Sequence, residues 1–177
     1  MERRIAIRNF LILSAGVGLL PSCHNEERQS TITLKNFQIT RDQERLLASM
    51  AETLIPTTDS PGAREIAAHS FVLTMVDDCF TKKAREQFIR GLDEFSDFTK
   101  KRLGKKFYEA DQPKKESLFN EFETKKLIPG SDMAFFYTTV KRLSLQAYMS
   151  SKYYLTQVQK YQLIPGPFHG CVPVSRI

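Results

Sequence analysis

Few side chains in this 177-residue sequence stand in register for chemistry. Its histidines are His24, His69 and His169, and its cysteines are Cys23, Cys79 and Cys171. No H-x-x-x-H pair and no C-x-x-C pair occurs, so the spacings that usually present zinc ligands are missing. His169 and Cys171 lie two apart and could clasp a metal with His69 or Cys79, but nothing further completes a four-ligand set. His69 sits beside Ala68 and Phe71 in a helical pattern, where a hydrogen bond to a neighbour accounts for it. Asp77 and Asp78 are adjacent, and adjacent helical residues point about 100° apart, so they do not converge as a catalytic dyad. A polar helix edge is the expectation for both. Ser60 has no nearby base and is explained as a helix cap. Neither G-x-G-x-x-G nor G-x-x-x-x-G-K appears, and a flavin or nicotinamide crevice would need such a loop beside a parallel sheet. No catalytic, cofactor-binding or metal-binding residue is therefore assigned in this chain.

The elements around these residues read as helices. Thr40 and Gln43 have capping-box spacing, and Leu46, Leu47, Met50, Ala51 and Leu54 recur on one helical face. Pro56 ends that helix, because the residue before proline is pushed out of the α region. Asp59 or Ser60, followed by Pro61, predicts a second helix running through Ile66, Ala67, Phe71, Val72 and Met75 to about Cys79. Thr81 caps a third, with Phe88, Ile89, Leu92, Phe95 and Leu103 as its stripe and Gly104 as its end. Asp111 and Pro113 open a shorter fourth carrying Leu118, Phe119 and Phe122, broken by Pro129-Gly130. Ser131 or Asp132 opens a fifth with Phe135, Phe136, Val140, Leu143, Leu145 and Tyr148. No alternating run is long enough for a sheet. The predicted fold is all-α, an irregular bundle of about five helices with an extended, Pro/Gly-rich C-terminal tail.

The N-terminus reads as an export signal. Arg3, Arg4 and Arg8 precede an uncharged stretch from Phe10 to Leu20, too short for a ~30 Å bilayer core. Leu20-Pro21-Ser22-Cys23 resembles a lipoprotein cleavage box, with Cys23 the lipidated first residue of the mature chain. The Arg3-Arg4 pair matches the twin-arginine pattern in part, with Ala6 and Ile7 where bulkier apolar residues are usual; a general secretory signal tolerates the same arginines. Residues 1–22 are thus read as signal peptide, 23–38 as a tether (polar from His24 to Lys35) and 39–177 as the domain. Ile32, Leu34 and Phe37 can add a short extended segment that packs on the domain. The expected location is the periplasm or cell envelope, on a membrane.

Charge excludes one broad class. The chain carries +6, falling to about +4 without its first 22 residues, and the densest basic run, Lys100-Lys101-Arg102 with Lys105-Lys106, suits a helix C-terminus. Nucleic-acid binders concentrate basic charge on one face, so no nucleic-acid partner is expected. The tail from 155 to 177 holds Pro165, Pro167, Pro173, Gly166 and Gly170, yet also Phe168, Val172, Val174 and Ile177. An extended but apolar segment buries itself on its own domain or on another chain. With Cys23 lipidated, Cys79 and Cys171 form an even pair for an oxidising compartment, a candidate disulfide worth roughly 4 kcal/mol on the chain-entropy model. Two buried free thiols are the alternative.

The export signal, the segment Glu52-Thr53-Leu54-Ile55-Pro56-Thr57-Thr58-Asp59-Ser60-Pro61-Gly62-Ala63, the long helices and the closing Ile164-Pro165-Gly166-Pro167-Phe168-His169-Gly170-Cys171 together resemble the gluconate 2-dehydrogenase subunit 3 family. The resemblance implies a small, helical, cofactor-free accessory subunit of a periplasmic or membrane-bound dehydrogenase acting on sugars, sugar acids or alditols. It places FAD in a separate catalytic flavoprotein of the glucose-methanol-choline type, with a cytochrome c subunit as a further partner. The small subunit would support assembly, export and anchoring of the flavoprotein, to which substrate choice belongs. The candidate partner contacts are Ile55, Pro56, Pro61 and Gly62 in the turn and Ile164, Pro165, Gly166 and Phe168 in the tail. The competing readings are a stand-alone lipid-anchored lipoprotein that binds or scaffolds, and a hydrolase or metal enzyme whose polar site these residues do not assemble.

Overall fold

The computed structural model describes residues 30–124, 130–159, 161–164 and 166. Five α-helices form: α1 (Arg41–Leu54), α2 (Ala68–Cys79), α3 (Lys82–Leu103), α4 (Gln112–Thr124) and α5 (Asp132–Met149). A 3₁₀ turn, Phe107–Glu109, joins α3 to α4, and a π-helical turn, Tyr154–Val158, follows α5. No strand forms among the described residues. The all-α bundle is the architecture that the apolar spacing predicts.

Caps set most of the boundaries. Thr40 and Gln43 make the reciprocal capping box, with the Gln43 amide donating to the Thr40 hydroxyl at 3.2 Å and the Thr40 amide donating to Gln43 Oε1 at 2.8 Å. Thr81 caps α3 through the Ala84 amide, and Ser131, rather than Asp132, caps α5 through the Ala134 amide. Gly104 ends α3 at φ +70°, a conformation that favours glycine. Lys100, Lys101 and Arg102 occupy that last turn, where their charge complements the helix dipole.

One boundary and one face differ from expectation. Residues 63–67 form a turn, so α2 starts at Ala68 and neither Asp59 nor Ser60 caps it. In α5, Phe136, Val140 and Leu143 are buried, while Leu145 is 45% and Met149 55% exposed. Leu145 follows Leu143 by two positions, about 200° around the helix, so both cannot face the core. Ile32, Leu34 and Phe37 pack on the core, as the sequence allows for this stretch before α1.

The core is aromatic. Phe88, Phe95, Phe107 and Phe136 are essentially inaccessible, each contributing about 1.5–3 kcal/mol by burial. Phe136 sits 5.0 Å from Phe88 and 5.6 Å from Phe95, and Phe107 stacks on Phe119 at 5.6 Å. Helices α3 and α5 approach closely at Gly91, where a Cβ would stand 2.2 Å from the Asp132 carbonyl and 2.6 Å from Phe136 Cβ. Arg90 pairs with Asp132 at 2.7 Å beside that crossing.

Candidate functional site

The segment between α1 and α2 is tied into a knot by one carboxylate. Glu52 lies in the last turn of α1, where a negative charge opposes the helix dipole and needs compensation. Its Oε1 accepts the Thr57 amide at 3.1 Å and the Thr57 hydroxyl at 3.0 Å, and its Oε2 accepts the Arg64 amide at 2.9 Å. Burial pushes the Glu52 carboxyl up, but these donors outweigh it and hold the group below the usual carboxylate range. Glu65 Oε1 lies 3.1 Å from the same Thr57 hydroxyl, whose one proton is shared between the two carboxylates.

Backbone contacts complete the knot. The Ala63 amide donates to the Ile55 carbonyl and the Ala68 amide to the Ala63 carbonyl, both at 2.9 Å. Ala67 takes a left-handed φ of +54° to pass from this turn into α2. A Cβ on Gly62 would fall 2.4 Å from Thr57 Oγ1, 2.6 Å from its amide nitrogen and 2.9 Å from Glu52 Oε1. Glycine is required there because the carboxylate and the Thr57 backbone occupy the space. Below the loop, Ala51, Ala63, Ala68 and Ala147 form a small-residue core with Ile55, Ile66 and Phe71 against it.

That arrangement sorts the proposed contact residues. Gly62 is buried, Ile55 and Pro61 are half-buried, and Pro56 is exposed. Ala147 brings the final turns of α5 to the same end of the bundle as the loop. Beyond α5, Val158 and Tyr161 are more than half exposed, and Leu163 and Ile164 reach 81% and 84%. Gly166 is exposed. Pro165 and Phe168 lie outside the described residues, as do Arg3, Arg4, Cys23 and Cys171. Cys79 is exposed at the end of α2.

Two buried carboxylates were not legible as such. Asp77, expected at a polar edge, is only 3% exposed. Its two oxygens accept the Lys35 amide at 2.7 Å and the Asn36 amide at 2.8 Å. Burial raises its carboxyl, but these two amides and the Asn36 side chain hold it below the usual range. Glu44 accepts the Thr31 amide at 2.7 Å and its hydroxyl. For Asp77 the available signal was position, since it sits in the last turn of α2, where an uncompensated carboxylate is unfavourable; Glu44, in the first turn of α1, carries no such signal.

Two other polar groups of the domain, a histidine and a carboxylate-centred trio, also bear on chemistry. His69 Nε2 lies 3.4 Å from the Ser70 hydroxyl, while Nδ1 is buried without a partner. Burial holds the His69 imidazole below its ordinary value, so it stays neutral near pH 7. In a cleft of about 370 Å³ between α1, α4 and α5, the Tyr137 hydroxyl donates to Glu123 at 2.7 Å and Lys141 Nζ to the same oxygen at 2.6 Å. Burial and then Glu123 raise the Tyr137 phenol, so the trio is a tie between α4 and α5 with no free base. Among the described residues no group of three potential ligands converges on a metal site, and no helix is long and apolar enough to cross a membrane.

Among curated proteins and among solved structures, nothing matches this chain. The family model for gluconate 2-dehydrogenase subunit 3 matches residues 41–166, from the first residue of α1 through the exposed Leu163-Ile164 segment. The match takes in the Glu52 knot, the aromatic core and the α5 end together, and the chain belongs to the gluconate 2-dehydrogenase subunit 3 family.

Proposed function

We propose that this chain is the non-catalytic small subunit of a membrane-associated, FAD-dependent dehydrogenase for a sugar, sugar acid or alditol. In this reading it supports assembly and export of the flavoprotein and anchors it through a lipid on Cys23, in the periplasm or cell envelope. FAD resides in the partner, and a cytochrome c subunit can take its electrons. The observation that carries the reading is the family match across the helical domain, since the family is named for a subunit of gluconate 2-dehydrogenase, a sugar-acid dehydrogenase.

The surface supports it. Leu145, Met149, Leu163 and Ile164 are exposed apolar side chains at or beyond the last turns of α5, the residue type that recurs at the centre of protein interfaces. The Glu52 knot holds Pro56 at the same end on a rigid base. Contacts with the flavoprotein are assigned to this end.

Deleting the gene for this chain tests the proposal. Dye-linked sugar or alditol dehydrogenase activity should vanish from the envelope fraction, with the flavoprotein degraded or retained in the cytoplasm. Unchanged envelope activity would instead favour a stand-alone lipoprotein.

A further inference from the structure

Charge is unevenly placed along this chain. All 20 Asp and Glu residues lie at or before Asp132, and none occurs from Met133 to Ile177. At the chain's average density that stretch would hold about five, so the depletion is a property of this part of the molecule. The same stretch carries Lys141, Arg142, Lys152, Lys160 and Arg176. Arg142, Leu145 and Met149 are exposed at spacings of three and seven, which put them on one face of α5. Tyr154 rests against Tyr148 at 6.0 Å, tying the π-helical turn to the end of that helix. Lys152, Val158, Tyr161, Leu163 and Ile164 continue the exposed surface. Lys141 is tied to Glu123, but neither Arg142 nor Lys152 makes an ion pair among the described residues. In the loop at the same end, Glu52 and Glu65 are engaged by Thr57 and the Arg64 amide, and Asp59 is exposed. The cationic character therefore belongs to α5 and the residues after it.

We propose that the solvent face of α5 and the exposed residues after it dock on an acidic face of the flavoprotein, with apolar contacts from Leu145 and Met149 and partner carboxylates opposite Arg142 and Lys152. The inference rests on the reading of this chain as that enzyme's small subunit. Protein interfaces match potentials across the contact, and like charges facing one another cost affinity. A strip with exposed cations and no carboxylate repels a basic partner and leaves an acidic one unopposed. Its apolar residues supply the desolvated centre of such a contact, where Met, Tyr and Arg are enriched. Arg142 and Lys152 flank that centre and steer the approach. A bilayer fits less well. Anionic lipid is read by about 4–8 clustered basic residues, whereas here Arg142 and Lys152 are separated by Leu145 and Met149.

Salt and charge reversal test this on the complex itself. The tagged full chain captures the detergent-solubilised flavoprotein, and bound flavin absorbance gives an apparent Kd across a range of NaCl. The parent's Kd should rise about tenfold or more from ~0.05 to ~0.5 M NaCl, because added salt screens exposed charge pairs. Arg142→Glu with Lys152→Glu should weaken binding at low salt by about tenfold or more and flatten the salt dependence. Arg142→Ala with Lys152→Ala should fall between that variant and the parent. Lys83→Glu with Lys101→Glu, an equal charge change at exposed positions of α3, should leave the Kd within about twofold. Thermal melting checks each fold, and if the reversal unfolds, the alanine pair decides. A Kd independent of salt, or a reversal no weaker than its α3 control, overturns the acidic face while the small-subunit reading stands. A reversal that spares the flavoprotein but abolishes sedimentation with phosphatidylglycerol vesicles overturns it in favour of the bilayer. If the parent captures no flavin-bearing chain, the small-subunit reading fails and this docking with it.

Discussion

Glu52 shows how one side chain can make a loop behave as a rigid part. Its three accepted hydrogen bonds come from residues on both sides of the turn, and bonds to charged acceptors are individually worth about 1.5–3 kcal/mol. Because the site is partly open to water, Glu52→Ala should cost about 2 kcal/mol in total, lowering the melting temperature by about 4–8 °C in a chain of this size. Gly62→Ala should cost about 1–3 kcal/mol, because the Thr57 backbone that its Cβ meets is fixed by the same carboxylate. Calorimetry checks both, and Thr57→Ala, which keeps the Thr57 amide, should cost less than either. Asp77 gives a pH signature. Its folded pKa is depressed, so its contribution is complete above the ordinary value of 3.8 and is lost as pH falls through the lower folded value. The stability gap between the parent and Asp77→Asn should be full at pH 7 and should close below pH 3.8. A gap that is constant with pH would mean that the Asp77 charge does not hold the segment before α1.

At the scale of elements, legibility followed the range of the interaction. Thr40, Thr81, Ser131 and Gly104 act within four residues of the ends they cap; the sequence places three of them and narrows the fourth to Ser131 or Asp132. The start of α2 was misplaced because Pro61 fits a first helical turn locally, while Glu52, 12 residues away, claims the Arg64 amide. Asp77 was misread for the same reason, since its amide partners lie 41 and 42 residues back and leave no periodic trace. Leu145 matches the stripe of α5 in hydrophobicity, but its angle from Leu143 puts it on the exposed side. Of the candidate contact residues, Gly62 is buried against Thr57 and Glu52, whereas Pro56 and Ile164 are exposed. Two substitutions separate packing from contact. Gly91→Leu should force α3 and α5 apart and lower stability by about 1–3 kcal/mol or more. Leu145→Asp with Met149→Asp should leave melting nearly unchanged, since exposed positions rarely shift stability by more than about 0.5 kcal/mol, yet should weaken co-purification of the large subunit at least tenfold, or about 1.4 kcal/mol. Retention of the partner by that double variant would move the interface elsewhere.

The described residues form a five-helix scaffold with two differentiated ends. One end carries the segment before α1, held by buried carboxylates; the other carries a knotted loop and an exposed apolar segment leading into the C-terminal residues. Removing residues 163–177 should weaken the complex while circular dichroism of the truncated chain stays helical, because Leu163 and Ile164 bury almost nothing against the bundle. Collapse of helicity on that truncation would assign the segment to this protein's own core. The central claim, that this chain serves a separate flavoprotein, is tested most directly by detergent pull-down through it from its native membrane, with an absorbance spectrum and mass spectrometry of the eluate. The account predicts a yellow complex in which a larger chain carries the flavin. A colourless protein recovered alone in good yield would contradict it.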